Sequence, residues 1–159
     1  MEIKKKIIVD LDVVTVSIWD KKGENVRLAV EFIDRVKQKE FEVITPFYLL
    51  EHLIKWKYVT LKEKIEEFYL KNSDSLLTNE DVDERIDSLE IDDEKILLEL
   101  QSNNVKEEDA FIALITSIFK LDYLVTFNRR HLKNKKNQIN EVLKKHGLAA
   151  IKIVGPEEV

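Results

Sequence analysis

The chain has 159 residues, 44% of them apolar and 36% charged, with 31 Asp and Glu against 26 Lys and Arg for a net charge of −5, and it has no cysteine. This balance excludes a disordered chain, no apolar run approaches the roughly 18–20 residues that span a bilayer, and the N-terminus lacks the apolar stretch and cleavage site of a signal peptide. Without cysteine there is no disulfide scaffold, thiolate metal site or cysteine nucleophile, so the expectation is one soluble, cytoplasmic domain over residues 1–159 with no membrane partner.

Residues 3–9 end in Ile7-Ile8-Val9, a continuous apolar run that suits a strand buried on both faces. Val13 to Trp19 fits a short helix or an extended segment equally well, and Lys21-Lys22-Gly23 is a loop. From Glu24, Val26, Val30, Ile33 and Val36 recur at helical spacing. Phe41 to Ile44 suits a short strand; Thr45 and Pro46 then suit the N-cap and first residue of a helix carrying Leu49, Leu50, Leu53, Ile54 and Val59. The apolar spacing continues that helix through Leu61, Ile65 and Phe68. Asn72 to Ser75 is a break, Thr78-Asn79-Glu80-Asp81 a helix start, and Asp92 to Leu100 a second short helix. Lys106 to Phe119 is apolar nearly all round, which predicts a buried helix. Leu121 to Phe127 predicts a strand, Asn137 to Lys145 a helix ended by Gly147, and Ala150 to Val154 a last strand. This alternation predicts an α/β fold, a three-layer α/β/α sandwich around a mainly parallel sheet of four to five strands.

In a right-handed βαβ unit each helix begins at the carboxyl edge of the sheet, where ligand sites of open α/β sheets lie. Asp10 and Asp12 follow the first strand, Glu51 follows the Thr45-Pro46 helix start, Asp109 opens the buried helix, and Asn128 follows the strand at 121–127. Taken singly, Asp10 and Asp109 fit an ordinary strand-end acid and an ordinary helix-start acid; their joint placement is what points to a site. Converging carboxylates repel one another unless a cation intervenes. Oxygen ligands without His or Cys suit Mg²⁺ or Mn²⁺ rather than Zn²⁺.

Four segments resemble the motifs of PIN domains: Ile7-Ile8-Val9-Asp10-Leu11-Asp12-Val13-Val14; Pro46 to Glu51; Glu108-Asp109-Ala110-Phe111-Ile112-Ala113-Leu114; and Leu124-Val125-Thr126-Phe127-Asn128-Arg129-Arg130-His131-Leu132. They occur in the family's order and cover almost the whole chain. The resemblance implies a metal-dependent endoribonuclease cleaving single-stranded or structured RNA, as in the VapC-type toxins of toxin–antitoxin pairs. It implies Asp10, Glu51 and Asp109 as ligands of Mg²⁺ or Mn²⁺, with Asn128 completing the catalytic set and Asp12 and Thr126 supporting it. A protein antitoxin and a homodimer formed through the early helices are further implied partners. Asp12 stands where the family more often has Asn, and Asn128 where many members have Asp. The acidic segment 72–104 is a helical insertion or extension relative to the compact toxins.

Net charge argues against a protein that grips phosphates, but its distribution does not. Residues 72–109 hold 3 basic and 14 acidic side chains, a net of −11, whereas residues 110–152 hold 9 basic and 2 acidic, a net of +7. Arg129, Arg130, Lys133, Lys135 and Lys136 follow the fourth motif directly and are candidate RNA contacts, against the alternative of a solvated loop. His131 suits a phosphate contact or a cap. His52 and His146 are expected to be structural or surface residues, and Trp19, Trp56, Tyr48, Phe47 and Tyr58 core or interface residues rather than base-stacking platforms.

Two competing functions remain. A PIN-like fold that binds RNA or protein without catalysis suits the neutral Asn128. A haloacid-dehalogenase-type phosphohydrolase suits Asp10-Leu11-Asp12 and Thr126, but leaves Asp109 and Glu51 without a role.

Overall fold

The computed structural model describes residues 3–19 and 22–159. Lys21, at the start of the expected loop, lies outside the described residues; Lys22 and Gly23 lead into a helix. The chain opens with β1 (Lys5–Val9), α1 (Leu11–Ile18), α2 (Glu24–Lys37), β2 (Phe41–Pro46) and α3 (Phe47–Glu51). It continues through α4 (Val59–Asn72), β3 (Ser75–Leu77), α5 (Asn79–Leu89), α6 (Asp93–Ser102) and α7 (Glu107–Ile118). It ends with β4 (Tyr123–Val125), α8 (Lys136–Lys145) and β5 (Ile153–Val154).

The five strands form one sheet in the order β3-β2-β1-β4-β5, and every pairing is parallel. The mainly parallel sandwich expected from the alternation is thus wholly parallel. The chain starts at the centre, winds outward through β2 and β3, then crosses back to lay β4 and β5 on the other side of β1. Right-handed crossovers put α1, α2 and α4 on one face and α6, α7 and α8 on the other. Members of each layer pack on one another, α1 on α2 and α4, α6 on α7 and α8. The winding direction reverses between β1 and β4, which opens a crevice at their carboxyl ends.

One buried cluster runs from Ile7 to Ile153. Ile7, Ile8 and Val9 are buried on both faces of β1, as their unbroken apolar run predicts. In α7 every residue from Ile112 to Ile118 is buried. The acidic segment contributes to the same cluster through Val82, Ile86, Ile96 and Leu100.

Three local features differ from the sequence pattern or settle it. Val13 to Trp19, open between helix and strand on pattern alone, belongs to α1 up to Ile18, with Val13 and Val14 buried. The expected continuous helix from Pro46 to Phe68 is broken: α3 gives way to a 3-10 turn at His52–Lys55 and an extended Trp56 before α4 begins. In one unbroken helix Ile65 would lie about 120° around the axis from Leu53, yet both are fully buried; the break lets each face the core. Thr45 and Pro46 are the last residues of β2, Pro46 serving as N-cap of α3. The Thr45 hydroxyl bonds Ser73 Oγ at 2.6 Å and its backbone pairs with Leu76, so it is not free to cap a helix.

β3 falls where the sequence pattern shows only a break. It pairs with β2 along its whole length, and Asp74 reinforces the pairing: its Oδ2 accepts from the Val43 N–H at 2.8 Å, and its N–H donates to the Val43 carbonyl at 2.8 Å. Two of its three residues are exposed, so no buried alternation marks it.

Candidate active site

β1 ends at Val9 and α1 starts at Leu11, which leaves Asp10 alone at the strand-to-helix corner. Its N–H donates to the Val125 carbonyl at 2.9 Å and ties the corner to β4. Its Oδ1 accepts from the Leu11 N–H at 2.8 Å, capping α1. Asp12, in the first turn of α1, accepts from the Phe127 N–H at 3.1 Å and so holds the chain leaving β4.

Thr126 is fully buried between these two acids. Its hydroxyl accepts from the Asn128 N–H at 2.9 Å, leaving one proton to donate. The Asp10 Oδ2 at 2.8 Å and the Asp12 Oδ2 at 3.3 Å share that single donor.

Asp109 comes from the other face, in the first turn of α7. Its Oδ2 accepts from Asn128 Nδ2 at 3.0 Å. The Asn128 Oδ1 accepts from the His131 backbone N–H at 3.0 Å; because that partner can only donate, the amide orientation is fixed and its NH₂ must face Asp109. An Asp at position 128 would instead set a carboxylate against a carboxylate. His131 Nδ1 lies 3.0 Å from the Asn104 carbonyl, which can only accept, so Nδ1 carries the proton and the ring pins the turn before α7. Of the two roles open to His131, the cap is the one its ring contact serves.

Carboxylate charges meet here, with Lys106 and His131 acting against them at Asp109. Burial pushes Asp10 up to about 7, the neighbouring Asp12 charge adds to this, the Thr126 hydrogen bond opposes it, and Asp109 raises it further. Asp12 is pushed up to about 6, chiefly by burial, with Asp109 adding to it and the Phe127 and Thr126 hydrogen bonds opposing. Asp109 is raised by burial against the Asn128 hydrogen bond and the charges of His131 and Lys106. Tyr69 is a contributor invisible in the sequence pattern: fully buried, it donates to the Val9 carbonyl at 2.6 Å, and its phenol is held well above its usual value by burial and by Asp10 and Asp12. It braces the corner from below. Only its spacing in the apolar stripe of α4 hints at burial.

Among the described residues no group of three or more His, Cys, Asp or Glu is disposed to hold a metal ion. The donor chemistry still fits a hard cation held by fewer protein ligands. Mg²⁺ commonly takes one or two carboxylates and fills its other positions with water or phosphate oxygens. Asp10 and Asp109 are two hard-oxygen donors whose ionisation a nearby cation would favour.

Glu51 follows β2 at the same edge but is drawn elsewhere. It is exposed, and its Oε1 accepts from Asn79 Nδ2, at the start of α5, at 2.8 Å. None of the hydrogen bonds among the described residues ties it to Asp10, Asp12 or Asp109. Tyr48 feels the charges of both Glu51 and Asp109, and its ring lies 4.5 Å from Phe111 and 4.7 Å from His52. Burial and the charges of Glu108, Glu107, Glu51 and Asp109 push the Tyr48 phenol up to about 12. His52 Nδ1 lies 3.7 Å from Glu108 Oε1, while His146 pairs with Glu99 at 3.1 Å, far from this cluster in sequence and element.

The basic run divides into two sets. Leu132, fully buried, anchors the loop, and Arg129 and Arg130 extend into solvent beside it. Arg129, Arg130 and Lys135 line a concavity of about 770 Å³ together with Lys106, which stands apart from the basic run in sequence. Lys133 is instead drawn to Glu157 and Glu158, and Lys136 places its charge near Glu158. Among the exposed aromatics, Trp19, Phe47 and Tyr58 lie on the α1, α3 and α4 side of the molecule.

No protein-family model matches the chain, and no curated protein or solved structure matches it. Among the described residues no helix is long and apolar enough to cross a membrane.

Proposed function

We propose that the protein is a PIN-like, Mg²⁺- or Mn²⁺-dependent endoribonuclease acting in the cytoplasm. The observation that carries this reading is the convergence of Asp10, Asp12 and Asp109 on Thr126 and Asn128 where the sheet reverses direction. Three of the four motifs that resemble PIN domains therefore meet at one point, although they are separated by up to 118 residue positions.

In this reading Asp10 and Asp109 hold the cation. Bound there, it supplies polarisation of a phosphate oxygen and a lowered pKa for an attacking water. The rest falls to the chain. Thr126 fixes the Asp10 carboxylate by its hydroxyl, and Asn128 fixes Asp109 by an amide that can face only one way. Asp12 locks the loop after β4 and adds negative charge that strengthens cation retention. Arg129, Arg130 and Lys135 hold the flanking phosphates. Glu51 contributes at most through water.

Mixed-sequence RNA incubated with Mn²⁺ or Mg²⁺ tests the proposal against the same reaction in EDTA. Cleavage that requires the cation and disappears in Asp109→Asn is the expected result; equal cleavage by the variant contradicts the assignment. A second reading, RNA binding without catalysis, draws on the absence of a third acid ligand among the described residues and on the neutral Asn128. Binding without cation-dependent cleavage in that assay selects it. A protein antitoxin and a second copy of the chain remain proposed partners, supported by exposed Phe47, Ile54 and Leu70 on α3, α4 and the turn between them.

A further inference from the structure

The two sides of Asp109 carry opposite charge. On one side Lys106, Arg129, Arg130, His131 and Lys135 line the 770 Å³ concavity, and among the described residues no acid lines it. Neither Arg129, Arg130, Lys106 nor Lys135 forms an ion pair among the described residues. On the other side Glu51, Glu107 and Glu108 gather around Tyr48, whose ring is covered by Phe111 and His52. The boundary lies within a single helix start: Lys106 is the N-cap of α7 and faces the concavity, while Glu107 and Glu108 follow it directly. Asp109 feels both, lowered by Lys106 and His131 and raised by Glu108.

Resting on the ribonuclease reading above, we infer that an RNA strand engages this site from one flank, its phosphates running along the Lys106–Arg129–Arg130 concavity, and that the Glu107–Glu108 flank repels the backbone. Lys106 is thereby a phosphate-binding residue in addition to the arginines. A phosphodiester chain carries one negative charge per nucleotide, so a strand laid across both flanks is attracted on one side and meets like charges on the other. At physiological ionic strength screening extends over about 8 Å, too far to hide neighbouring carboxylates from a phosphate placed against them. The concavity contains no aromatic side chain among its lining residues other than the His131 ring, already tied to Asn104. Binding there follows the backbone rather than stacked bases.

The test is equilibrium binding of a fluorescein-labelled, twelve-nucleotide, mixed-sequence single-stranded RNA, read by anisotropy in EDTA over a range of KCl. The substituted side chains are all exposed, so the variants are expected to fold. The Lys106→Ala/Arg129→Ala/Arg130→Ala protein is expected to bind about tenfold more weakly. Its plot of log affinity against log salt should be shallower by about 0.7 for each phosphate that the variant no longer neutralises. Glu107→Gln/Glu108→Gln is expected to bind about threefold more tightly. An unchanged salt slope in the first variant, or unchanged or weaker binding in the second, overturns the one-flank placement. Because EDTA removes the cation, these measurements report strand placement whether or not the protein cleaves. Failure of the cation-dependent cleavage assay bears on the ribonuclease reading alone.

Discussion

Two corners of the same sheet edge behave differently. At the β1/β4 corner, Asp10, Asp12 and Asp109 are half-buried, bonded to Thr126 and Asn128, and raised in pKa chiefly by burial. At the β2/β3 corner, Glu51 is exposed and bonded to Asn79, the first residue of the next unit. Asp10 and Glu51 both follow parallel strands at this edge, so position along an edge does not by itself make a site. The difference comes from topology. At β1 and β4, where the strand order reverses, α1 and α7 both begin at the same crevice. At β2, by contrast, Glu51 is the one carboxylate of the short α3, and it braces the start of α5.

That contrast is breakable, and the largest effects belong to the first corner. Asp10→Asn and Asp109→Asn should each lower cation-dependent RNA cleavage by roughly 10³-fold or more, since each removes a proposed ligand. Steady-state rates on one RNA substrate measure this. Asn128→Ala should cost about 10–100-fold, because it frees the Asp109 carboxylate without removing it. A loss confined to KM would reassign Asn128 to strand binding. Glu51→Gln should change the rate by about threefold or less, the amide still being able to accept from Asn79. A Glu51→Gln defect as large as that of Asp109→Asn would collapse the distinction between the two corners.

The smallest effect is on stability, and its sign is diagnostic. Asp10 and Asp12 have folded-state pKa values of about 7 and about 6, above the ordinary value of 3.8. Between these limits the folded protein binds more protons than the unfolded chain, so stability falls as pH rises. The contribution is full below about pH 4 and lost as pH passes through about 7. In EDTA the Tm is therefore expected to decline from pH 5 to pH 8. Asp10→Asn should flatten that decline and raise the Tm at pH 8 by about 3–6 °C, or ~1–2 kcal/mol for a domain of this size. Thermal unfolding followed by circular dichroism gives the comparison; a Tm that climbs over this range in wild-type protein counts against raised carboxylate pKa values at the corner.

Much of this corner is legible in the sequence because its signals are local. Ile7-Ile8-Val9 marks a strand buried on both faces, the acids of Glu107 to Asp109 mark a helix start, and right-handed connection brings both to one edge. What escapes depends on partners distant in the chain. β3 is held by its backbone pairing with β2, supplemented by Asp74 and Ser73 reaching across, so Ser75 and Leu76 need no buried pattern of their own. The run from Leu49 to Phe68 keeps helical spacing even though the core requires a break at Trp56 to Tyr58. Lys133 looks like a phosphate contact until Glu157 and Glu158 are brought beside it. Tyr69 joins the site through one hydrogen bond to Val9, 60 residues away, which no spacing rule anticipates.

The most direct measurement is Mn²⁺ binding followed by electron paramagnetic resonance in wild-type, Asp10→Asn and Glu51→Gln proteins. The expected result is loss of the free Mn²⁺ signal with wild-type and Glu51→Gln proteins and its persistence with Asp10→Asn. Persistence with wild-type protein, or equal binding by Asp10→Asn, contradicts a cation site at the β1/β4 corner.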